Sequence, residues 1–186
     1  MSNIRVLHIT NAYPNSTMPE YGIFIKEQVD ALTDINSEVL FINAVEKGST
    51  EYLRSIFKLR KLQCDFDVIH CHHFYSFLVC YFAFGYRPNV IVSFLNDWDR
   101  EIELSLPVRW KKKLLNFFSK KMPVIIFKSF PPIELINRSN IYFLPNGVDS
   151  KRFNVIDRTE CIKKLELNEE KHYLLFVSSK WLGRRR

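Results

Sequence analysis

Short apolar, β-branched runs recur along the chain with about a helix's length between them: "IRVLHI", "SEVLFINAV", "FDVIHC", "NVIVSF", "PVIIFK", "IYFLP" and "HYLLFV". Each is nearly continuous in apolar residues, which is how a strand reads when both of its faces are covered. Such strands alternating with helices make a parallel sheet wrapped by helices, and few other folds accept the pattern. The expected fold class is therefore α/β, a Rossmann-like parallel sheet with helices on both faces. The helices are legible between the runs. Residues 22 to 32 carry Ile23, Phe24, Val29 and Leu32 on a broad apolar face, and further segments lie around 50 to 62, at 74 to 84 and at 107 to 121. Pro131 and Pro132 open another over 131 to 137, since proline suits a first turn.

The chain has 186 residues, 47% hydrophobic and 15% aromatic, enough for one packed domain and too few for two full ones. No run approaches the roughly 20 apolar residues of a membrane helix. "MSNIRVLHIT" lacks the apolar core and cleavage site of a signal peptide, so a cytoplasmic location is expected, with the inner face of the membrane as a place of action. Cys64, Cys71, Cys80 and Cys161 form no CxxC pair and sit in or beside apolar runs, as reduced thiols do. A formal charge of +7 favours anionic partners, and the basic residues concentrate in "RWKKKLLNFFSKK", 109 to 121, and in the terminal "RRR". No aromatic-interleaved RNA motif or zinc-finger spacing accompanies them, so nucleic acid is not an expected partner. Within 107 to 121, Trp110, Leu114, Phe117 and Phe118 fall on one side and Lys112, Lys113 and Lys120 on the other. Such a helix can lie on anionic lipid, or pack its apolar face on the sheet and leave its lysines in water, as every helix of this fold requires.

Ligands of an open parallel sheet bind beyond the carboxyl ends of its strands. That rule selects the loops 11 to 22, 71 to 75, 95 to 104 and 145 to 149. In "NAYPNSTMPEYGIF" the chain turns into a helix at Gly22, where backbone N–H groups can meet an anion; equally, the glycine can serve only a tight turn. There is no GxGxxG and hence no dinucleotide fingerprint. In "DVIHCHH" alternation sends His70 and His72 to one face and Cys71 and His73 to the other, so these four cannot share one metal, and a zinc site is not expected. His72 is the candidate acid–base residue, whereas His70 reads as a core histidine satisfied by backbone. "SFLNDWDRE" sets Asn96, Asp97 and Asp99 beside Trp98, a grouping that suits sugar hydroxyls and a stacked ring but also an ordinary solvated loop. "LPNGVDSKRF" closes the sixth run with a Pro-Asn-Gly turn.

In this order and at these separations, "VLHITNAYPNSTMPEYGIFIKEQVDAL", "DVIHCHH", "PNGVDSKRF" and "LLFVSS" resemble the N-terminal half of glycosyltransferase family 4, retaining enzymes of the GT-B fold. The resemblance spans essentially the whole chain, and "PNGVD" followed by Phe153 is its most specific element. It implies two facing Rossmann-like domains, the first binding a glycan or lipid-linked acceptor and the second a nucleotide-sugar donor, for hexosyl transfer in polysaccharide biosynthesis. The implied boundaries are 1–150 for the acceptor-side domain, 151–171 for an interdomain linker with a helix, and 172–186 for the first strand of the donor-binding domain. The loop from Asn11 to Gly22 would floor the cleft, with Tyr13 and Gly22 at the substrates and Asn146 and Gly147 near the cleft.

Asn96 and Asp97 match a loop where many members carry Gly-Ser-Asp, although the glycine is absent here. Leu95 stands where some relatives have a histidine, which leaves His72 as the nearest catalytic candidate. The family uses no divalent metal in its active site, so the resemblance implies no cofactor. Relatives continue after "HYLLFVSS" with a diphosphate-gripping basic loop and, later, paired glutamates; here "KWLGRRR" follows, and neither Lys180 nor Arg184 takes over that role. The chain therefore reads as the acceptor-side half of an enzyme, truncated or split with a separate donor-domain subunit, and inactive alone. Two readings compete with it: a non-catalytic Rossmann-like module docking on a membrane or partner subunit through 107 to 121, and a decayed remnant.

Overall fold

The computed structural model describes residues 4–62, 66–98, 102, 107–148, 150–151 and 153–175. Two compact units divide the chain, Met1–Asn146 and Gly147–Arg186. The first unit is built on six parallel strands: β1 (Arg5–Thr10), β2 (Asn36–Phe41), β3 (Val68–His72), β4 (Val90–Phe94), β5 (Val124–Phe127) and β6 (Ile141–Phe143). Their order across the sheet is β2-β1-β3-β4-β5-β6, so the chain steps outward from β1 to one edge and then returns past it to run to the other. The reversal between β1 and β3 is the switch point where the loops leaving the two strands diverge and open a crevice.

Around the sheet lie α1 (Ile23–Asp30), α2 (Ala44–Lys47), α3 (Thr50–Lys61), α4 (Phe74–Phe84), α5 (Val108–Ser119) and a 3-10 turn, Ile133–Leu135. The Rossmann-like α/β class expected from the run pattern is the class observed. Register explains how the core forms. Leu7 stands opposite Ile69 and Ile9 opposite Cys71; Ile69 then faces Val90 and Cys71 faces Val92. These residues join Phe94, Ile125 and Phe127 in one cluster with Leu59, Phe74, Phe77, Cys80 and Leu115 from the helices. Burying each large apolar side chain is worth roughly 1.5–3 kcal/mol, which makes this face the main source of cohesion.

Several local expectations are corrected. The run "SEVLFINAV" does not stay extended: β2 stops at Phe41 and Ala44–Lys47 is helical, because the Asn43 side chain accepts a hydrogen bond from Glu46 N at 3.3 Å and so caps a helix. Both-face burial fails at the two edges, where β2 and β6 each have one neighbour and stay partly exposed. In α1 the buried residue is Ile25, while Ile23 and Phe24 face outward. In α5 the buried face is turned toward Leu115 and Ser119, leaving Trp110 and Phe117 exposed. The reason is Phe118, which presents its edge to the rings of Phe74, Phe77 and Tyr81 at 5.7, 6.3 and 6.2 Å and fixes the helix's rotation. Residues 144 to 148 leave β6 without the expected Pro-Asn-Gly turn.

In the second unit, α6 (Arg158–Lys164) begins at Asp157, whose carboxylate accepts from Thr159 N at 2.8 Å and Glu160 N at 3.3 Å. The helix ends with Leu167 N bonded back to Ile162 O at 3.0 Å and Glu166 at φ 53°, a C-terminal stop usually made with glycine. Residues 172 to 175 form no strand, and Leu174 and Leu175 are exposed. Cys64, Asp99, Asp149, Phe176, Lys180 and Arg184, with the end of the run "HYLLFV", lie outside the described residues.

Candidate functional site

The loop leaving β1 closes on itself. Thr10 Oγ1 accepts from Ala12 N at 3.1 Å and donates to Ala12 O at 2.9 Å, bending the chain as it exits the strand. Gly22 returns to the same place at φ 70°, where an added Cβ would lie 2.3 Å from Ala12 O and 2.8 Å from Tyr13 N. Both obstacles are backbone, so no side chain fits there and the left-handed conformation favours glycine independently. Between these ends Asn15 Oδ1 accepts from Thr17 N and Met18 N at 2.9 and 2.7 Å. Glu46 on α2 accepts from Thr17 and from Asn43, and these bonds, Thr17's first, hold its carboxyl below the usual range. Tyr13 is half-buried, its ring 6.4 Å from that of Phe41. Asn11 Oδ1 is buried and accepts no hydrogen bond from the described residues.

Beside this loop, on the sheet face away from the apolar cluster, three imidazoles gather. His8 is the register partner of His70, and Thr10 of His72. His8 Nδ1 and His72 Nε2 are 3.1 Å apart, the His70 and His72 rings are 4.0 Å apart, and His70 Nε2 lies 2.7 Å from Ser93 Oγ. One nitrogen from each ring falls within 4.8 Å of the other two. Burial lowers the pKa of His8 to about 4 and of His70 to about 3, the latter also because His8 and Lys128 disfavour a second positive charge; His72 is pushed well down for the same reasons. All three rings are neutral at pH 7. His72 is fully buried, whereas among the described residues His70 meets a serine hydroxyl and not the backbone.

The next strand ends add a rim. His73 starts α4 at φ 82° and ψ 155°, a conformation close to glycine's alone, with its N–H held by Ser93 O at 2.9 Å. Asn96 and Asp97 follow β4 and are exposed, and Ser129 Oγ donates to Asn96 O at 3.3 Å. Lys128 follows β5, bonds Phe94 O through its N–H at 3.0 Å, and is half-buried, which lowers its amine pKa. Asn146 and Gly147 are exposed; Gly147 has open space around its α-carbon and no positive φ. A separate cavity of about 150 Å³ is lined by Lys112, Lys113, Leu115, Asn116, Pro132 and Leu135 and shares no residue with these loops.

Tyr13, Gly22 and His72 thus cluster at the β1–β3 switch point, while Asn96 and Asp97 stand at the neighbouring strand end. Reasoning from sequence missed His8, Ser93, Lys128 and Glu46. The signal for His8 was available: His8 and Thr10 repeat the i, i+2 spacing of His70 and His72, so strand alternation puts a polar stripe on one face of each. Chemically, the rim offers amide and carboxylate oxygens to hydroxyl groups and a cation, Lys128, to an anion.

No curated protein matches the chain. The family model for Glycosyltransferase Family 4 matches residues 3–152, which takes in all six strands and their outgoing loops. With that match on a six-stranded parallel sheet of this order, the chain belongs to glycosyltransferase family 4 and carries the N-terminal, Rossmann-like domain of its GT-B fold.

Proposed function

We propose that this chain contributes the acceptor-side wall of a retaining hexosyltransferase that moves a sugar from a nucleotide-sugar to a glycan or lipid-linked acceptor. The observation that carries the reading is the coincidence of the family match with the β1–β3 switch point, where the glycine-locked loop leaves β1, while Asn96 and Asp97 are exposed at the carboxyl end of β4 on the same edge of the sheet. In such a transfer the bond from the anomeric carbon to the diphosphate breaks, a bond to the acceptor oxygen forms, and the acceptor proton leaves toward the departing phosphate. Orientation and stabilisation of developing charge supply most of the rate. Here Asn96 and Asp97 hold acceptor hydroxyls, Tyr13 and Gly22 shape the floor, and Asn146 and Gly147 contribute from the connection between domains. His72 acts as a positioning residue, since a fully buried imidazole reaches the loop from beneath it rather than reaching substrate. The family resemblance implies no metal in this chemistry.

The test is sugar transfer from UDP- and GDP-sugars to a lipid-linked acceptor, by the purified chain and by the chain mixed with a separately expressed donor-binding domain. Transfer is expected only in the mixture, falling on the order of 10²-fold with Asp97→Ala through lost acceptor orientation. Transfer by the chain alone would overturn the reading.

A specific observation also favours action at a membrane surface. No helix among the described residues is long and apolar enough to cross a membrane. Yet α5 exposes Val108, Trp110 and Phe117 among Arg109, Lys112 and Lys113, and Lys113 Nζ sits 4.6 Å from the Trp110 ring centre. Aromatic residues interleaved with lysines suit the headgroup region of anionic lipid. Co-sedimentation with phosphatidylglycerol vesicles should be lost in a Trp110→Ser, Phe117→Ser variant; unchanged binding would remove α5 from the account.

A further inference from the structure

We propose that His8, His70 and His72 form a buried binding site for a divalent transition-metal ion of zinc type, which ties β1 to β3 at their carboxyl ends. Three independent features of the structure converge on it. His8 and His70 are direct register partners on neighbouring strands, and His72 lies two residues further along β3 on the same face, so the sheet itself fixes their spacing. One nitrogen of each lies within 4.8 Å of the others. The closest pair, His8 Nδ1 and His72 Nε2 at 3.1 Å, is near the roughly 3.3 Å that separates two ligands of a tetrahedral ion bound at about 2.0–2.1 Å.

Proton counting allows the same arrangement. The facing nitrogens of His8 and His72 can share one proton, whichever ring owns it. The outer nitrogens, His8 Nε2 and His72 Nδ1, are buried and have no hydrogen-bond partner among the described residues. A shared proton therefore strands one bare lone pair and one N–H group in the interior, and a stranded buried acceptor is costly. An ion between the facing nitrogens takes up both inner lone pairs and leaves both outer atoms as N–H donors, the number of stranded groups being unchanged. His70 already has the outer partner that a ligating imidazole needs, the Ser93 hydroxyl at 2.7 Å.

Cys71 and His73 take no part, because strand alternation turns Cys71 into the apolar cluster. Three histidines leave a fourth position for water, and two of the three lack outer partners, so affinity falls 10–100-fold below that of a site with a complete outer shell. Closed over by the fold, the site fills as the chain folds. Its role is structural: it would fix His72, the positioning residue proposed above, and supply no reacting group to the transfer.

The experiment refolds the chain from urea with equimolar Zn²⁺ or with EDTA, removes excess by gel filtration and counts metal per chain by atomic emission. Expected is about one zinc per chain, falling below a tenth in His8→Asn and in His72→Asn, and retained in His73→Asn and His172→Asn. Cobalt refolding of the unaltered chain supplies an answer that needs no variant: visible bands of a nitrogen-ligated ion support the site. Absence of metal from the refolded chain, zinc undiminished by His8→Asn, or a strong near-ultraviolet thiolate-to-cobalt band placing the ion on cysteines would each overturn it.

Discussion

The two faces of the sheet are made from the same strands and could hardly differ more. Leu7, Ile9, Cys71, Val92 and Phe94 look into a continuous apolar cluster, with Phe94 stacked on Phe127 at 4.8 Å. His8, Thr10, His70, His72 and Ser93, the alternate residues, form an equally buried but polar stripe. Apolar burial on the first face supplies cohesion. The second gives that up, since each imidazole there excludes an aliphatic side chain that would have packed at no cost in desolvated polar groups. A protein retains such a stripe where the residues do something besides fill space, and this one ends at the switch point that the family match covers.

The sharpest contrast between the faces should come from truncation. Phe94→Ala removes a fully buried ring from the apolar cluster and should destabilise by about 3–5 kcal/mol in urea unfolding, whereas His8→Leu in the metal-free chain should cost less, about 1–3 kcal/mol, because it removes the stranded Nε2 but leaves His72 Nε2 without its partner. Equal losses would mean the two faces are energetically alike. Next comes acid. The folded pKa of His8 and His70 is depressed below the unfolded value of 6.5, so the unfolded chain binds more protons and stability drops as pH falls from about 6.5 through 4. At about 1.4 kcal/mol per unit, His8 alone accounts for roughly 3 kcal/mol in the metal-free chain, and His8→Phe should flatten that part of the curve.

Two smaller effects probe the rim where the faces meet the loops. Gly22→Ala forces a Cβ against Ala12 O and should cost about 2 kcal/mol, visible as a lowered thermal midpoint. His73→Gly, by contrast, relieves a backbone that φ 82° strains and should gain about 1 kcal/mol while the far-ultraviolet spectrum stays the same. A loss on that substitution would mean the His73 side chain outweighs its strained backbone.

Strand positions, most helix positions and the loops at the strand exits could be read from the sequence because hydrophobic period and helix-length spacing are local properties, whereas the order of the strands across the sheet is not and was supplied by the structure. The errors trace to contacts that hydrophobic period does not encode. The face that α5 buries depends on Phe118 meeting rings from α4, and no helical wheel contains that partner. The early end of β2 depends on Asn43 finding Glu46 N, a cap that competes with extension inside an apolar run. His8 looked like one polar residue in "IRVLHI" until register set it beside His70. Gly22 was visible as a turn residue, but its 2.3 Å clash with the backbone at Ala12 exists only once the loop has closed.

The central claim, that this sheet forms the acceptor-side wall of a glycosyltransferase site, meets its most direct test in isothermal titration with UDP-, GDP- and ADP-sugars. The account predicts no binding by the chain alone and saturable binding of one nucleotide-sugar once a separately expressed donor-binding domain is mixed in. Tight binding by the chain alone, or none in the mixture, would contradict it.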